Sequence, residues 1–192
     1  MKTPLAIAAA LLLATSAAQA QTFSFAAALE HEAVGATGSG TVIVGFDVGA
    51  QTLSIDALFF GLSGLTNIAH IHCCTAAPNT GTIGVAVTPG TLPGFPAGVN
   101  FGIYSTVLDL TSTATYAANF LNNFGGGTAA GASAALLAGI NDGKAYFNVH
   151  TLPNFPGGEI RGFLQPVPEP ATWALMAFGL AAVGALARRR AA

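Results

Sequence analysis

Three of the chain's four histidines fall in two short segments, Ala69-His70-Ile71-His72-Cys73-Cys74 and Asn148-Val149-His150-Thr151. Alternate residues of an extended strand share a face, roughly 6–7 Å apart, so His70 and His72 would point one way with Ile68. Ala69, Ile71 and Cys73 would point the other way. On the second segment Tyr146, Asn148 and His150 share a face, and Ala145, Phe147 and Val149 form the apolar side. If the two histidine faces meet, His70, His72 and His150 converge, and three imidazoles can hold copper or zinc. Ligation requires neutral rings, so such binding would weaken below about pH 6. The competing reading is structural, with His70, His72 and His150 bonded to backbone groups, Thr151 or Glu159. His31 lies between Glu30 and Glu32 and is expected at the surface, at most as a fourth ligand.

Glu159 and Arg161 stand two apart across Ile160 and are expected to form a local or cross-strand ion pair that orders the preceding Pro-Gly-Gly loop. A catalytic Glu with an Arg partner is the weaker alternative. No serine or cysteine sits in a recognisable nucleophile turn, so neither a Ser-His-Asp nor a Cys-His arrangement is supported. Cys73 and Cys74 are the only cysteines. Adjacent Cα atoms lie ~3.8 Å apart, below the usual disulfide range, so a bridge between these two would be strained. The alternatives are that vicinal disulfide, soft-metal ligation beside the histidines, or an intermolecular crosslink. Strand alternation argues against both sulfurs meeting one metal.

The ends of the chain carry targeting signals. Lys2, an apolar run over 5–14 and Ala18-Gln19-Ala20 make a secretory signal peptide over 1–20, to be removed by signal peptidase. Its apolar run is shorter than the ~20 residues a membrane-crossing helix needs. At the other end, Pro168-Glu169-Pro170 precedes an apolar stretch over 171–187 and the cluster Arg188-Arg189-Arg190. That stretch predicts a transmembrane helix of roughly 25 Å with its arginines on the cytoplasmic side. The order of parts over 166–192 resembles the PEP-CTERM sorting signal of Gram-negative bacteria. The resemblance implies an exosortase-type processing enzyme as partner, passage through the inner membrane, and delivery to the cell surface or medium.

Between these ends only Lys144 and Arg161 are basic, against seven acidic side chains, which leaves residues 21–165 at about −5 with histidine neutral. So few cations exclude the electrostatic footprint of a nucleic-acid-binding protein. The whole chain is 52% hydrophobic and 7% charged, a membrane-like balance that the two ends largely explain.

The elements that must position the histidines are short strands with two-residue periodicity, broken by glycine, proline, asparagine and threonine. The pattern predicts strands over 22–29, 40–48, 52–60, 67–73, 82–87, 102–110, 144–151 and 159–165. Helical turns are expected over 114–122 and 130–137, the second stopped by a left-handed Gly139. The proline-rich stretch 89–96 should be a loop packed over one end of the core. The expected fold is all-β, an antiparallel sandwich or barrel with one or two short helices, flanked by the signal helix and the C-terminal transmembrane helix.

Ala69-His70-Ile71-His72, Leu136-Leu137-Ala138-Gly139, Asn148-Val149-His150-Thr151 and Pro156-Gly157-Gly158-Glu159-Ile160-Arg161-Gly162 together resemble the CHRD domain, named after chordin. The resemblance covers roughly 23–164 and implies that the all-β fold is an antiparallel immunoglobulin-like Greek-key sandwich or barrel, with a poorly defined activity. Two departures stand out. The family usually has glycine after His-Ile-His, where Cys73-Cys74 stand here, and Glu32 lacks the Val-Pro-Pro that commonly follows such a glutamate. Gly64, Leu65, His70 and His72 are also similar in arrangement to one strand of copper/zinc superoxide dismutase, over that segment alone. The resulting expectation is a non-enzymatic structural or binding module of the envelope or matrix, with extracellular polysaccharide or surface proteins as partners. The alternative is a copper- or zinc-binding domain with redox activity.

Overall fold

A computed structural model describes residues 21–168, 176–181, 183 and 188. The signal peptide over 1–20 lies outside the described residues, as do Glu169, Pro170, Arg189 and Arg190 of the sorting signal. Of the expected membrane-crossing stretch 171–187, residues 176–181 and 183 are described and are helical. Among the described residues, no helix is long and apolar enough to cross a membrane.

Alternation of apolar and polar residues dictates the strands. β2 (Ser39–Asp47) buries Val42, Val44 and Phe46 while Thr41 and Ile43 face outward. β3 (Thr52–Phe60) buries Leu53, Ile55, Ala57 and Phe59. β1 (Thr22–His31), β2 and β3 form a meander, and β6 (Gly102–Asp109) adds to the outer edge of β3. The remaining strands are β4 (Leu65–His72), β5 (Val85–Val87), β7 (Tyr146–Leu152), β8 (Phe155–Phe163) and the two-residue β9 (Gln165–Pro166).

All neighbours are antiparallel, in the order β5-β4-β7-β8-β1-β2-β3-β6, with β9 on β1. β1 links the two flanks of this sheet. Its residues Thr22 to Leu29 pair with β2, Phe25 and Ala26 also with β9, and its last residues, Glu30 and His31, pair with β8. The strands therefore curl into a half-barrel, where a sandwich of two separate sheets or a closed barrel was expected. A shared strand joins what would otherwise be two sheets, and β5 and β6 end the sheet unpaired with each other.

One apolar core fills the concave side, built from Phe25, Leu29, Val44, Phe46, Ile55, Phe59, Ile71, Phe147, Val149 and Ile160. Its open end is covered by α1 (Ala118–Asn123) and α2 (Ala129–Asn141), which follow a single 3-10 turn at Thr113–Thr115. The Thr128 hydroxyl accepts the Gly131 N–H and caps α2, which buries Ala132, Leu136 and Ile140 at four-residue spacing. Gly139 does not stop this helix, contrary to expectation. It lies inside it, because a β-carbon there would overlap the sulfurs of both Cys73 and Cys74. The chain turns instead at Gly143, with φ +66°.

The proline-rich loop packs as expected, with Leu92 and Phe95 buried. It also borders β4, since Leu92 N–H donates to Ala69 O at 3.0 Å and Thr66 N–H to Val99 O at 2.8 Å. At the far end, Val167 N–H donates to Ser24 O at 2.8 Å, so the chain stays bonded to β1 up to the residue before Pro168.

Candidate functional site

β4 and β7 run side by side with His70 opposite Asn148, His72 opposite Tyr146 and Ile68 opposite His150. The inward faces are core, with Ala69, Ile71, Phe147 and Val149 all fully buried. The opposite face carries the three histidines, as alternation requires, and it too is buried: His70 is 4%, His72 8% and His150 7% exposed. Segments from three parts of the chain, at Ile83, Gly90 and Pro156, close over it. One nitrogen of each ring lies within 4.8 Å of the others.

Each ring is anchored by a different backbone carbonyl, two from loops and one from Pro156 at the start of β8. His70 Nε2 lies 2.5 Å from Gly90 O, His72 Nδ1 lies 2.7 Å from Ile83 O, and His150 Nδ1 lies 2.9 Å from Pro156 O. His70 Nδ1 approaches His150 Nε2 at 3.3 Å. Burial disfavours the charged ring and pushes the His70 pKa down to about 4, despite the Gly90 hydrogen bond, with smaller repulsions from His150 and His72. Burial likewise lowers His72. His31 is exposed and stands apart from the cluster.

A polar ring surrounds the histidines. His72 stacks on Tyr146, 4.7 Å between centroids at 2°. The Arg161 guanidinium lies 5.2 Å from the centroid of the same Tyr146 ring and 5.6 Å from that of Phe163. Arg161 also donates to Gly81 O at 3.1 Å and pairs with Glu32 at 3.4 Å. Glu32 in turn accepts the Asn148 amide at 3.2 Å, and Asn148 Oδ1 faces His72 Nε2 at 3.1 Å. Burial raises the Glu32 carboxyl above its ordinary value, against the lowering effects of Asn148, Arg161 and His150. Gly158, at φ +127°, permits this packing, because a β-carbon there would collide with the Glu32 carboxylate. A cavity of about 360 Å³ opens beside this ring, lined by Glu32, Thr82, Pro156, Gly158 and Arg161 among others.

Glu159 and Arg161 are not each other's partners. Arg161 takes Glu32, while Glu159 is fully buried with four neutral donors. Ser63 N–H and Oγ donate at 2.6 and 2.7 Å, Gly64 N–H at 3.3 Å and Thr151 Oγ1 at 2.5 Å. Burial alone would raise this carboxyl, but the bonds from Thr151, Ser63 and Gly64 outweigh it and hold the pKa below its ordinary value. Cys73 and Cys74 are joined as a disulfide, packed against α2 at Gly139, and so offer no thiolate to the histidines.

Glu32 is a residue of this site that the sequence alone does not single out as one. It lies one residue beyond β1, where its N–H donates to Glu159 O at 2.8 Å and its side chain turns under β7. The signal that could have found it was its place in the N-terminal block of the family pattern.

These contacts explain the spaced residues as one assembly. His70 and His72 belong to β4, Asn148, His150 and Thr151 to β7, and Gly158, Glu159 and Arg161 to β8, and each touches another of them or a shared partner. The PEP-CTERM protein-sorting motif matches residues 166–190, and it implies an exported protein processed by an exosortase, with a membrane-anchored intermediate. No curated protein and no solved structure matches the chain. The CHRD domain matches residues 22–164, from the first strand through the residue after β8, and the chain belongs to the CHRD-domain family.

Proposed function

We propose that the chain is exported by its N-terminal signal, freed of it by signal peptidase, and sorted through its C-terminal signal by an exosortase-type enzyme. Residues 21–165 then serve at the cell surface or in the extracellular matrix as a non-enzymatic structural or binding module. Its partners in this reading are extracellular polysaccharide or other surface proteins. The observation that carries it is the direct succession of a CHRD domain over 22–164 and a sorting motif over 166–190. The use of the domain's polar groups supports a module: Glu159 holds four donors and Arg161 is taken by Glu32, Gly81 and two rings. Strand connections that pass from β3 to β4 and from β5 to β6 across the sheet support an immunoglobulin-like Greek-key ancestry for the half-barrel.

Deletion of Pro168 to Pro170, expressed in a host with an exosortase system, tests the sorting step. The expected result is a larger, membrane-held form at the expense of the surface form. Unchanged processing and delivery would refute the reading.

A further inference from the structure

Three backbone carbonyls settle where the hydrogens of the histidine cluster sit. A carbonyl oxygen only accepts, so His70 Nε2 at Gly90 O, His72 Nδ1 at Ile83 O and His150 Nδ1 at Pro156 O each carry the ring hydrogen. A neutral imidazole has one such hydrogen. His70 Nδ1, His72 Nε2 and His150 Nε2 are therefore all lone pairs.

Those lone pairs face one another. His70 Nδ1 and His150 Nε2 stand 3.3 Å apart with no hydrogen to share. His72 Nε2 meets a further acceptor, Asn148 Oδ1 at 3.1 Å, and the amide cannot simply turn over because its Nδ2 is held by Glu32. Converging lone pairs in a buried layer are unfavourable unless a positive species lies among them. Two nitrogens bound to one tetrahedral ion at ~2.0–2.1 Å stand roughly 3.3–3.4 Å apart, which is the His70–His150 spacing. A second N–H held by a backbone carbonyl is also what orients a ligating imidazole, and here all three rings have it.

We propose that His70 Nδ1, His72 Nε2 and His150 Nε2 form a binding site for one late first-row divalent cation, zinc or copper(II). The donor set selects that class. Three imidazoles without a carboxylate disfavour magnesium and calcium, and the disulfide removes both thiolates. Asn148 Oδ1 faces the ligating nitrogen of His72, and Glu32, which holds the Asn148 amide, stands one residue further from the ion. The net negative charge of residues 21–165 favours cation entry. Three protein ligands leave a fourth position for water or a small donor. The site is independent of the sorting reading, since a loaded and an unloaded module would be processed alike.

The test uses the full chain in detergent, untagged and stripped with chelator, then titrated separately with zinc and copper(II). Nitrogen-15 spectra of the histidine rings, taken on the wild-type protein with zinc, identify the bound atoms without any substitution. The expected result is one equivalent of one or both ions per chain. Coordination shifts should appear at His70 Nδ1, His72 Nε2 and His150 Nε2, with the opposite nitrogens still protonated. His70→Ala and His150→Ala should each weaken binding by at least about 100-fold, the upper range for losing only an outer-layer partner. His31→Ala should leave binding unchanged. Absence of stoichiometric binding, coordination at His31 alone, or a proton persisting between His70 and His150 at saturating zinc would overturn the site.

Discussion

Glu159 and Ser63 are 96 residues apart, yet the Glu159 carboxylate accepts both the backbone N–H and the hydroxyl of Ser63, at 2.6 and 2.7 Å. The same carboxylate holds Gly64 and Thr151, so it ties the crossing between β3 and β4 to both β7 and β8. Glu159→Gln places an amide N–H against donors that need an acceptor. It should destabilise the domain by about 1–3 kcal/mol in urea unfolding.

That carboxyl also sets an acid limit. Its folded pKa is depressed, so its stabilising effect is fully present above the ordinary carboxyl value of 4.5. As the pH falls below that value, the unfolded chain binds a proton that the native carboxylate resists, and stability drops. The wild type should lose stability through this window by at most about 1.4 kcal/mol per pH unit from this group, and Glu159→Gln should show a flatter acid limb. Equal slopes in the two proteins, measured by urea unfolding between neutral pH and the acid limit, would assign the limb to other groups.

Gly139 packs against the sulfurs of Cys73 and Cys74, where a β-carbon would overlap both. Gly139→Ala should cost about 1–3 kcal/mol by overpacking, although alanine favours helices elsewhere. In the Cys73→Ser, Cys74→Ser background the same change should cost less. A double-mutant cycle with no coupling would show that the disulfide does not set the residue at 139.

Arg161→Lys keeps the charge but loses the planar guanidinium over Tyr146 and Phe163, whose Nη1 donates to both Gly81 O and Glu32. A loss of about 1 kcal/mol or more is expected. Retention of full stability would mean that charge alone matters at this position.

Phe147 is fully buried between β4 and β8, opposite Ile71 and Gly162. Phe147→Ala should cost about 3–5 kcal/mol, with unfolding followed by tyrosine fluorescence and circular dichroism still a single coincident transition. Separate transitions would divide the half-barrel into two cores.

Much of this arrangement is legible in the chain itself. β3 occupies the predicted 52–60, and seven other strands fall within a few residues of the predicted runs, because one face of each is core and alternation records it. The facing of His70, His72 and His150 follows from the same periodicity. What alternation cannot record is which distant segment meets a polar face. Glu159 was matched to Arg161 because they are near in sequence, whereas Ser63 and Glu32 are the residues folding brings to them. Gly139 was read as a helix stop because glycine does that locally, and only the packed disulfide gives it another reason. Outward-facing histidines are legible as a group, but their burial depends on the loops at Ile83 and Gly90 and on the start of β8 at Pro156, none of which has a periodic signature.

The bond from Val167 to Ser24 has a consequence for how the domain waits to be processed. The sheet holds the chain until one residue before the sorting tripeptide, and nine residues later the described tail is helical at 176. Even fully drawn out, nine residues reach only about 30 Å. An enzyme that cuts at or beyond Pro168 would therefore meet the chain within that reach of the β1–β9 corner. Cutting there would leave the last rung of the sheet intact.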